Sequence, residues 1–485
     1  MDFDVIVVGA GYGGATCAAL LAEEGLRVCL VDKNPRPGGK AMTIAKDGYR
    51  YELWPIAGGP SEGSRVHELA GVLGLEAEIR FSMPEQAGHF RYVRPDGSVV
   101  AAPLSARPSA DPAAAARLPA LLGAGEEESA AMLGAAATIL TMPEDQIAAL
   151  DDVDMLSWLR GFGLAGPLLA HQLTVLNLLF VVPVDRLPAS EAIRTLRDFY
   201  AGGAGRYHVK GYAHPVEAAV DHLVRKGGEY RSRTRVDGIT SVEGGFAVTA
   251  GEDELRARAV VSNAGIQPTV LKLVGPEAFP PDYVERVRAL EPSLAFVGIR
   301  YFVDAPVLGD AMVLQFSDES WWDSERFARA EAGEWPDHPL LFVVVPSLYD
   351  PDLAPDPGHQ VILAGTMCSP DPQSPMNEAA VERVDREMLW TWPDLEGHVT
   401  RREVFTSTNV AAASRDAVVP GQGGECIGLA QVIGQCGRTK PDARSPLPGL
   451  YFVGCDAGGY GCGTHQATDS GFNVAALVAG DLARV

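Results

Sequence analysis

The clearest pattern of apolar and polar positions lies at the start of the chain. In DVIVVGAGYGGATCAALLAEEGLRVCLVD (residues 4–32), Val5 to Val8 form an unbroken apolar run. Such a run suits a strand buried on both faces. A glycine turn follows, then an apolar-periodic segment that predicts a helix closing at Gly25 and a second strand over Arg27–Val31. Helical spacing also puts Val66, Leu69, Ala70 and Leu73 on one face of residues 64–75. From about residue 86 the chain is rich in Ala, Leu and Pro, which predicts a helical subdomain broken by proline. Pro215 opens a further helix whose face carries Val216, Ala219, Val220 and Leu223. Short strands are expected at 230–236, 245–250 and 256–262, and longer β-rich runs at 294–303 and 340–364. A helix is expected at 377–390. The chain closes with a strand (Leu450 to Val453), a glycine loop, and a helix from about His465 that puts Phe472, Ala475, Ala476 and Ala479 on one face.

Chemistry enters with Gly9-Ala10-Gly11-Tyr12-Gly13-Gly14, a GxGxxG pattern at a strand-to-helix junction. Gly9 permits the tight turn, Gly11 lets a pyrophosphate approach the backbone, and Gly14 allows close helix–strand packing. Asp32, with Lys33 beside it, ends the second strand, where an acid accepts hydrogen bonds from ribose hydroxyls and disfavours a 2′-phosphate. Pro37-Gly38-Gly39-Lys40 adds a second glycine pair and a cation. A plain turn would read the same way in isolation. In the closing segment, strand, glycine loop and helix converge, bringing backbone N–H groups and a helix N-terminus to one point suited to an anionic or electron-rich group. The predicted fold is α/β. A Rossmann-like nucleotide domain is assembled from residues 1–85, 205–285 and 425–485. An inserted α+β substrate domain, mixed β-sheet plus helices, comes from 86–204 and 286–424.

Length and composition narrow the partners. A chain of 485 residues has room for two or three domains. Its net charge of −23 argues against nucleic acid and anionic membranes, and solubility alone accounts for it. Cys17, Cys29, Cys368, Cys426, Cys436, Cys455 and Cys462 form no CxxC pair and no metal-ligand spacing. Buried thiols in a reducing interior, with no metal, are expected. The acidic N-terminus does not read as a signal peptide, and no apolar run approaches bilayer length. A cytoplasmic protein, able to form a homo-oligomer, is expected.

The DxVVxGAGxxG start, the PGGK segment, GGEYRSRTRVDGI (227–239), ARAVVSNAG (257–265) and LPGLYFVGCDAGG (447–459) occur in order along the chain. Together they resemble the phytoene desaturase branch of the flavin amine oxidase superfamily. The resemblance implies non-covalent FAD held by Gly9, Gly11, Gly13, Gly14, Asp32, Lys33, Gly38, Gly39, Lys40, Pro55, Val236, Gly454, Asp456, His465 and Gln466, with the Val236 backbone at the adenine. It also implies a desaturase or dehydrogenase that forms a C=C bond by hydride transfer to flavin N5. The rivals are C–N oxidation of an amine, a saturase or isomerase reaction, and a flavin-binding escort without turnover. The electron acceptor (oxygen, a quinone or a redox protein) is left open, and a second nucleotide site is absent. Relatives carry an acid, a small residue and Gly-Pro where this chain has Tyr51-Glu52-Leu53-Trp54-Pro55. A Trp54 beside the ring would narrow the cavity and favour a compact, mainly apolar substrate over a long carotenoid, although Trp54 also reads as a core residue. His465 and Tyr460 are the candidate acid–base groups, expected with Trp54 to face the cavity; His465 reads equally as a cap or an FAD contact.

Overall fold

The computed structural model describes residues 1–57, 63–84, 88–104, 112–202 and 206–484. Two seven-stranded sheets organise them. At the centre of the first, β1 (Phe3–Val8) runs parallel to β2 (Val28–Val31), and helix α1 (Tyr12–Glu23) connects them. On its other side β1 pairs in parallel with the strand Asp253–Ser262, in the register Val5↔Ala259 and Val8↔Ser262. That strand also takes the closing strand Leu450–Phe452 in parallel, Val261 opposite Tyr451. The hairpin Gly238–Val242 and Gly245–Ala250 extends one edge, and Glu229–Arg231 lies parallel to β2 at the other. Val5 to Val7 and Val28 to Leu30 are wholly buried, as a strand covered on both faces requires. The covering helices include α1 itself, packed between His214–Arg225 and the closing helix Gly463–Leu482.

The second sheet runs in the order Val399–Phe405, Ala295–Val303, Gln360–Cys368, Leu341–Val344, Met312–Phe316, Gly88–Val93 and Val99–Leu104. Its pairings are antiparallel except for Met312–Phe316 with Gly88–Val93. Helices Pro112–Leu122, Glu126–Thr141, Met155–Gly161, Gly166–Phe180 and Ala189–Gly202 build a layer whose core includes Leu156, Leu173, Leu176 and Phe180. Among the described residues no helix is long and apolar enough to cross a membrane.

Several boundaries differ from the sequence-based expectation. The helix expected over 64–75 is Arg65–Leu73, because Ser64 caps its start by accepting from the His67 N–H, and Gly74 ends it in the left-handed conformation. The strand expected over 230–236 stops at Arg231. The closing helix begins at Gly463 rather than near His465. This two-residue difference changes which side chains reach the cavity.

Candidate functional site

A cavity of about 1330 Å³ is lined by residues of both sheets and of the helical layer. At one end it meets the carboxyl ends of four parallel strands: Gly9 follows β1, Asp32 follows β2, Asn263 follows Asp253–Ser262, and Gly454 lies just past the closing strand. Ligands of open α/β sheets bind at this position.

The glycines there are set by contact distance. A Cβ on Gly13 would lie 2.7 Å from Gly454 Cα, and one on Gly14 would lie 2.0 Å from the Gly9 carbonyl oxygen. These two positions clamp α1 onto the closing loop and onto its own turn. Gly14 lies outside the cavity lining, whereas Gly9, Gly11, Gly13, Gly38 and Gly39 are part of it. A Cβ on Gly39 would stand 3.2 Å from Gly11 Cα, so the two glycine loops face each other across a narrow cradle. Helix α1 begins after Gly11 with no side-chain cap and no acid in its first turn. Its first N–H groups are therefore left to an anion, and the cradle fits a dinucleotide pyrophosphate. The closing helix likewise starts after Cys462 with no side-chain cap and no acid in its first turn, with Gly463 and Thr464 in the cavity wall. That end fits an electron-rich ring.

Asp32 is buried. Its Oδ2 accepts from the Ala10 N–H at 2.7 Å and its Oδ1 from the Asn34 N–H at 2.7 Å. Burial raises its pKa, and these backbone donors oppose the rise. The carboxylate thus holds the glycine turn in shape and retains lone pairs for ribose hydroxyls. Replacement by alanine is expected to weaken dinucleotide binding by about 1.5–3 kcal/mol, the scale of hydrogen bonds to a charged group. Titration of the apoprotein with FAD checks this, and an unchanged Kd would remove Asp32 from the site.

The cations behave differently from expectation. Lys40 lines the cavity, yet its Nζ donates to Glu425 Oε1 at 3.1 Å and to the Ile427 carbonyl at 3.1 Å. Arg415 pairs with Glu425 at 2.6 Å and Asp456 at 2.8 Å. Asp456 also accepts from the Ile266 and Leu429 N–H groups. Lys40, Arg415, Glu425 and Asp456 form a charge-balanced buried cluster that ties the loops after β2, before the closing strand and after it into one wall. Lys33 is paired with Asp416 at 3.4 Å, and Asp416 also holds Arg235 and Lys272. Asn263 completes the region: its amide donates to the Gly9 carbonyl at 3.2 Å and would lie 2.9 Å from a Cβ on Gly11. Sequence reasoning missed Asn263, Arg415, Asp416 and Glu425. Asn263 alone carried a signal, a polar residue directly after a buried strand that runs beside β1.

Trp54, Pro55 and Val236 line the cavity, and Trp54 is almost fully buried. Tyr460 and His465 do not line it. They face a second cavity of about 820 Å³, together with Arg65, Asp198 and Asp469. The reason is helical geometry. Gly463 and Ala467 share the face turned to the first cavity, and His465 and Asp469 share a face about 200° away. His465 Nδ1 accepts from the Arg65 N–H at 3.4 Å, and its Nε2 lies 3.8 Å from Asp198 Oδ2. Burial lowers its pKa. Tyr460 is half exposed over the Lys440 ammonium, 4.5 Å from its ring centre. Gln466 also lies outside the cavity lining; its amide donates to the Cys455 carbonyl at 3.1 Å and braces the closing loop.

Beyond the glycine end the wall is mainly apolar. It includes Phe90, Leu118, Met132, Leu179, Phe199 and Phe342. Residues 12–479 match the family described as flavin containing amine oxidoreductases. The chain belongs to that family. Its members' flavin accounts for the two uncapped helix starts and the facing glycine loops at one end of the cavity. Among curated relatives, the carotenoid 3,4-desaturase of Haloarcula japonica is 24% identical, with 93% of each chain covered. The 4,4′-diapolycopene oxygenase of a Methylomonas species is 25% identical, also over 93% of each chain. The fold is shared with an oxidoreductase from Methanosarcina mazei, at a TM-score of 0.72 and 18% identity over 97% of this chain and 99% of that one. At the family level this chain is a flavin oxidoreductase.

Proposed function

We propose that the protein binds FAD without a covalent bond and forms a C=C bond in an extended, mainly apolar substrate. The observation that carries this reading is the continuity of one cavity, glycine-walled and polar at one end and mainly apolar over the rest. A volume of about 1330 Å³ exceeds the roughly 300–1,000 Å³ typical of a small-ligand pocket, which leaves room for a substrate beside a dinucleotide. The full-length relatives named for carotenoids support the same reading. Size therefore favours a longer substrate than the compact one inferred from Trp54.

Gly11, Gly13 and Gly39 would hold the pyrophosphate, Asp32 the ribose, and the Val236 segment the adenine. Bound flavin supplies a hydride acceptor, so that loss of two hydrogens from adjacent carbons leaves a double bond. The chain's own part is to bind and orient a flexible chain and to keep water away from it. Trp54 lines the same cavity. Cys426, Cys455 and Cys462 line the wall, but burial pushes each thiol up to about 12, which keeps it protonated and a poor nucleophile for attachment.

Because Tyr460 and His465 face away from this cavity, Tyr460→Phe and His465→Ala are expected to leave the rate of flavin reduction within about twofold of the parent. Stopped-flow mixing without oxygen measures it. A loss of about a hundredfold in either variant would return that side chain to acid–base chemistry. The function itself is tested by incubation with a long acyclic isoprenoid and mass analysis of the product. Loss of two hydrogens with lengthened conjugation is expected; an unaltered isoprenoid beside an efficiently oxidised amine would favour the C–N reaction.

A further inference from the structure

The mainly apolar wall of the main cavity also carries polar side chains, Arg117 and a pair on one helix. His171 and Gln172 are neighbours on the helix Gly166–Phe180, and both line the cavity. His171 is only 5% exposed, and burial pushes its imidazole down to about 4, so the ring is neutral near pH 7. The Gln172 side-chain amide donates to His171 Nδ1 at 3.2 Å. The ring proton therefore sits on Nε2. Nε2 has no hydrogen-bond partner in the protein. The Phe90 ring stands 4.4 Å from the imidazole at 76°, and the Phe316 ring 5.6 Å away at 65°. These rings fix the orientation of the imidazole but offer at most a weak acceptor. An unpaired buried donor forfeits its hydrogen bond to water, a cost that a leucine at this position would avoid. A polar pair kept in an apolar wall calls for a polar partner.

We propose that His171 and Gln172 anchor a hydroxyl group carried by the otherwise apolar substrate. The proposal rests on the apolar-substrate reading above and narrows it. The hydroxyl oxygen accepts from His171 Nε2–H, and its proton is directed to the Gln172 carbonyl oxygen. His171 and Gln172 are then specificity-determining residues, because the analogue lacking the hydroxyl leaves His171 Nε2–H unpaired when it fills the cavity.

The test uses the flavin-loaded protein and two probes, geranylgeraniol and the hydrocarbon of the same skeleton. Binding is read from the perturbation of flavin absorption, without turnover. The parent protein is expected to bind the alcohol about tenfold or more tightly than the hydrocarbon. Gln172→Leu and His171→Phe should each bring that ratio close to one by weakening the alcohol alone, and His171→Gln, which keeps a donor, should restore part of it. Equal affinities in the parent, or a preference that survives both variants, would overturn the proposal. Failure of both molecules to bind would overturn the apolar-substrate reading itself, and the anchor with it.

Discussion

Gly11→Val is expected to yield a folded but colourless protein. A Cβ at this position would stand 2.9 Å from the Asn263 amide nitrogen and project between the two glycine loops, where Gly39 already approaches Gly11. Asn263 cannot withdraw without giving up its hydrogen bond to the Gly9 carbonyl. The branched methyls of valine would then fill the space intended for the pyrophosphate, at the uncapped start of α1. Loss of the phosphate contacts removes the part of the site where helix dipole and backbone donors act together. A fall in FAD affinity of about a thousandfold or more is expected, about 4 kcal/mol. Flavin content after purification and a titration of the variant with FAD measure it, while circular dichroism checks the fold. A variant that stays yellow at full stoichiometry would contradict the placement of the cofactor.

Glu425→Ala is expected to cost stability rather than chemistry. Glu425 is wholly buried, with Arg415 at 2.6 Å and Lys40 at 3.1 Å. Its other oxygen accepts from the Gly423 N–H at 2.8 Å. Among the described residues, removal would leave Lys40 with the Ile427 carbonyl and Arg415 with Asp456 and Gln267. Breaking a buried pair in this way costs about 3–5 kcal/mol, because an uncompensated charge stays behind. The midpoint of urea unfolding should fall accordingly. A loss under about 1 kcal/mol would show that the cluster relaxes to water. The neighbouring cations overcome the burial cost and hold the carboxyl down to about 2, below its ordinary 4.5. A lowered carboxylate pKa adds stability above the unfolded value that is lost as the pH falls toward the folded one. The parent should accordingly lose stability between about pH 4.5 and 2, and the alanine variant should lose less over that window.

The two glycine loops and the buried N-terminal strands were legible in the sequence because their causes are local. A run such as Val5 to Val8 has one stable use in a domain of this size, and a glycine needed for close approach is visible as a glycine. His465 shows where local reading stops. The loop before it does deliver residues to the cavity, but a helix starting at Gly463 gives that face to Gly463 and Ala467 and turns His465 toward Asp198. Glu425 and Arg415 were invisible for a different reason. Each is an ordinary charge in a loop until the fold brings Lys40 from 385 residues away. Trp54 was read from its size alone, and the volume of the cavity it lines, about 1330 Å³, is set by residues far from it in the chain.

The central claim, a flavin site opening on an apolar channel that takes hydrogen from a chain-like substrate, is tested most directly by one measurement. The FAD-loaded protein is mixed with a long acyclic isoprenoid in the absence of oxygen, and the visible absorption of the flavin is followed. Bleaching of the flavin, with one new double bond formed per flavin reduced, is the result expected. A flavin that stays oxidised with isoprenoids of every length, yet bleaches with an amine, would contradict the account.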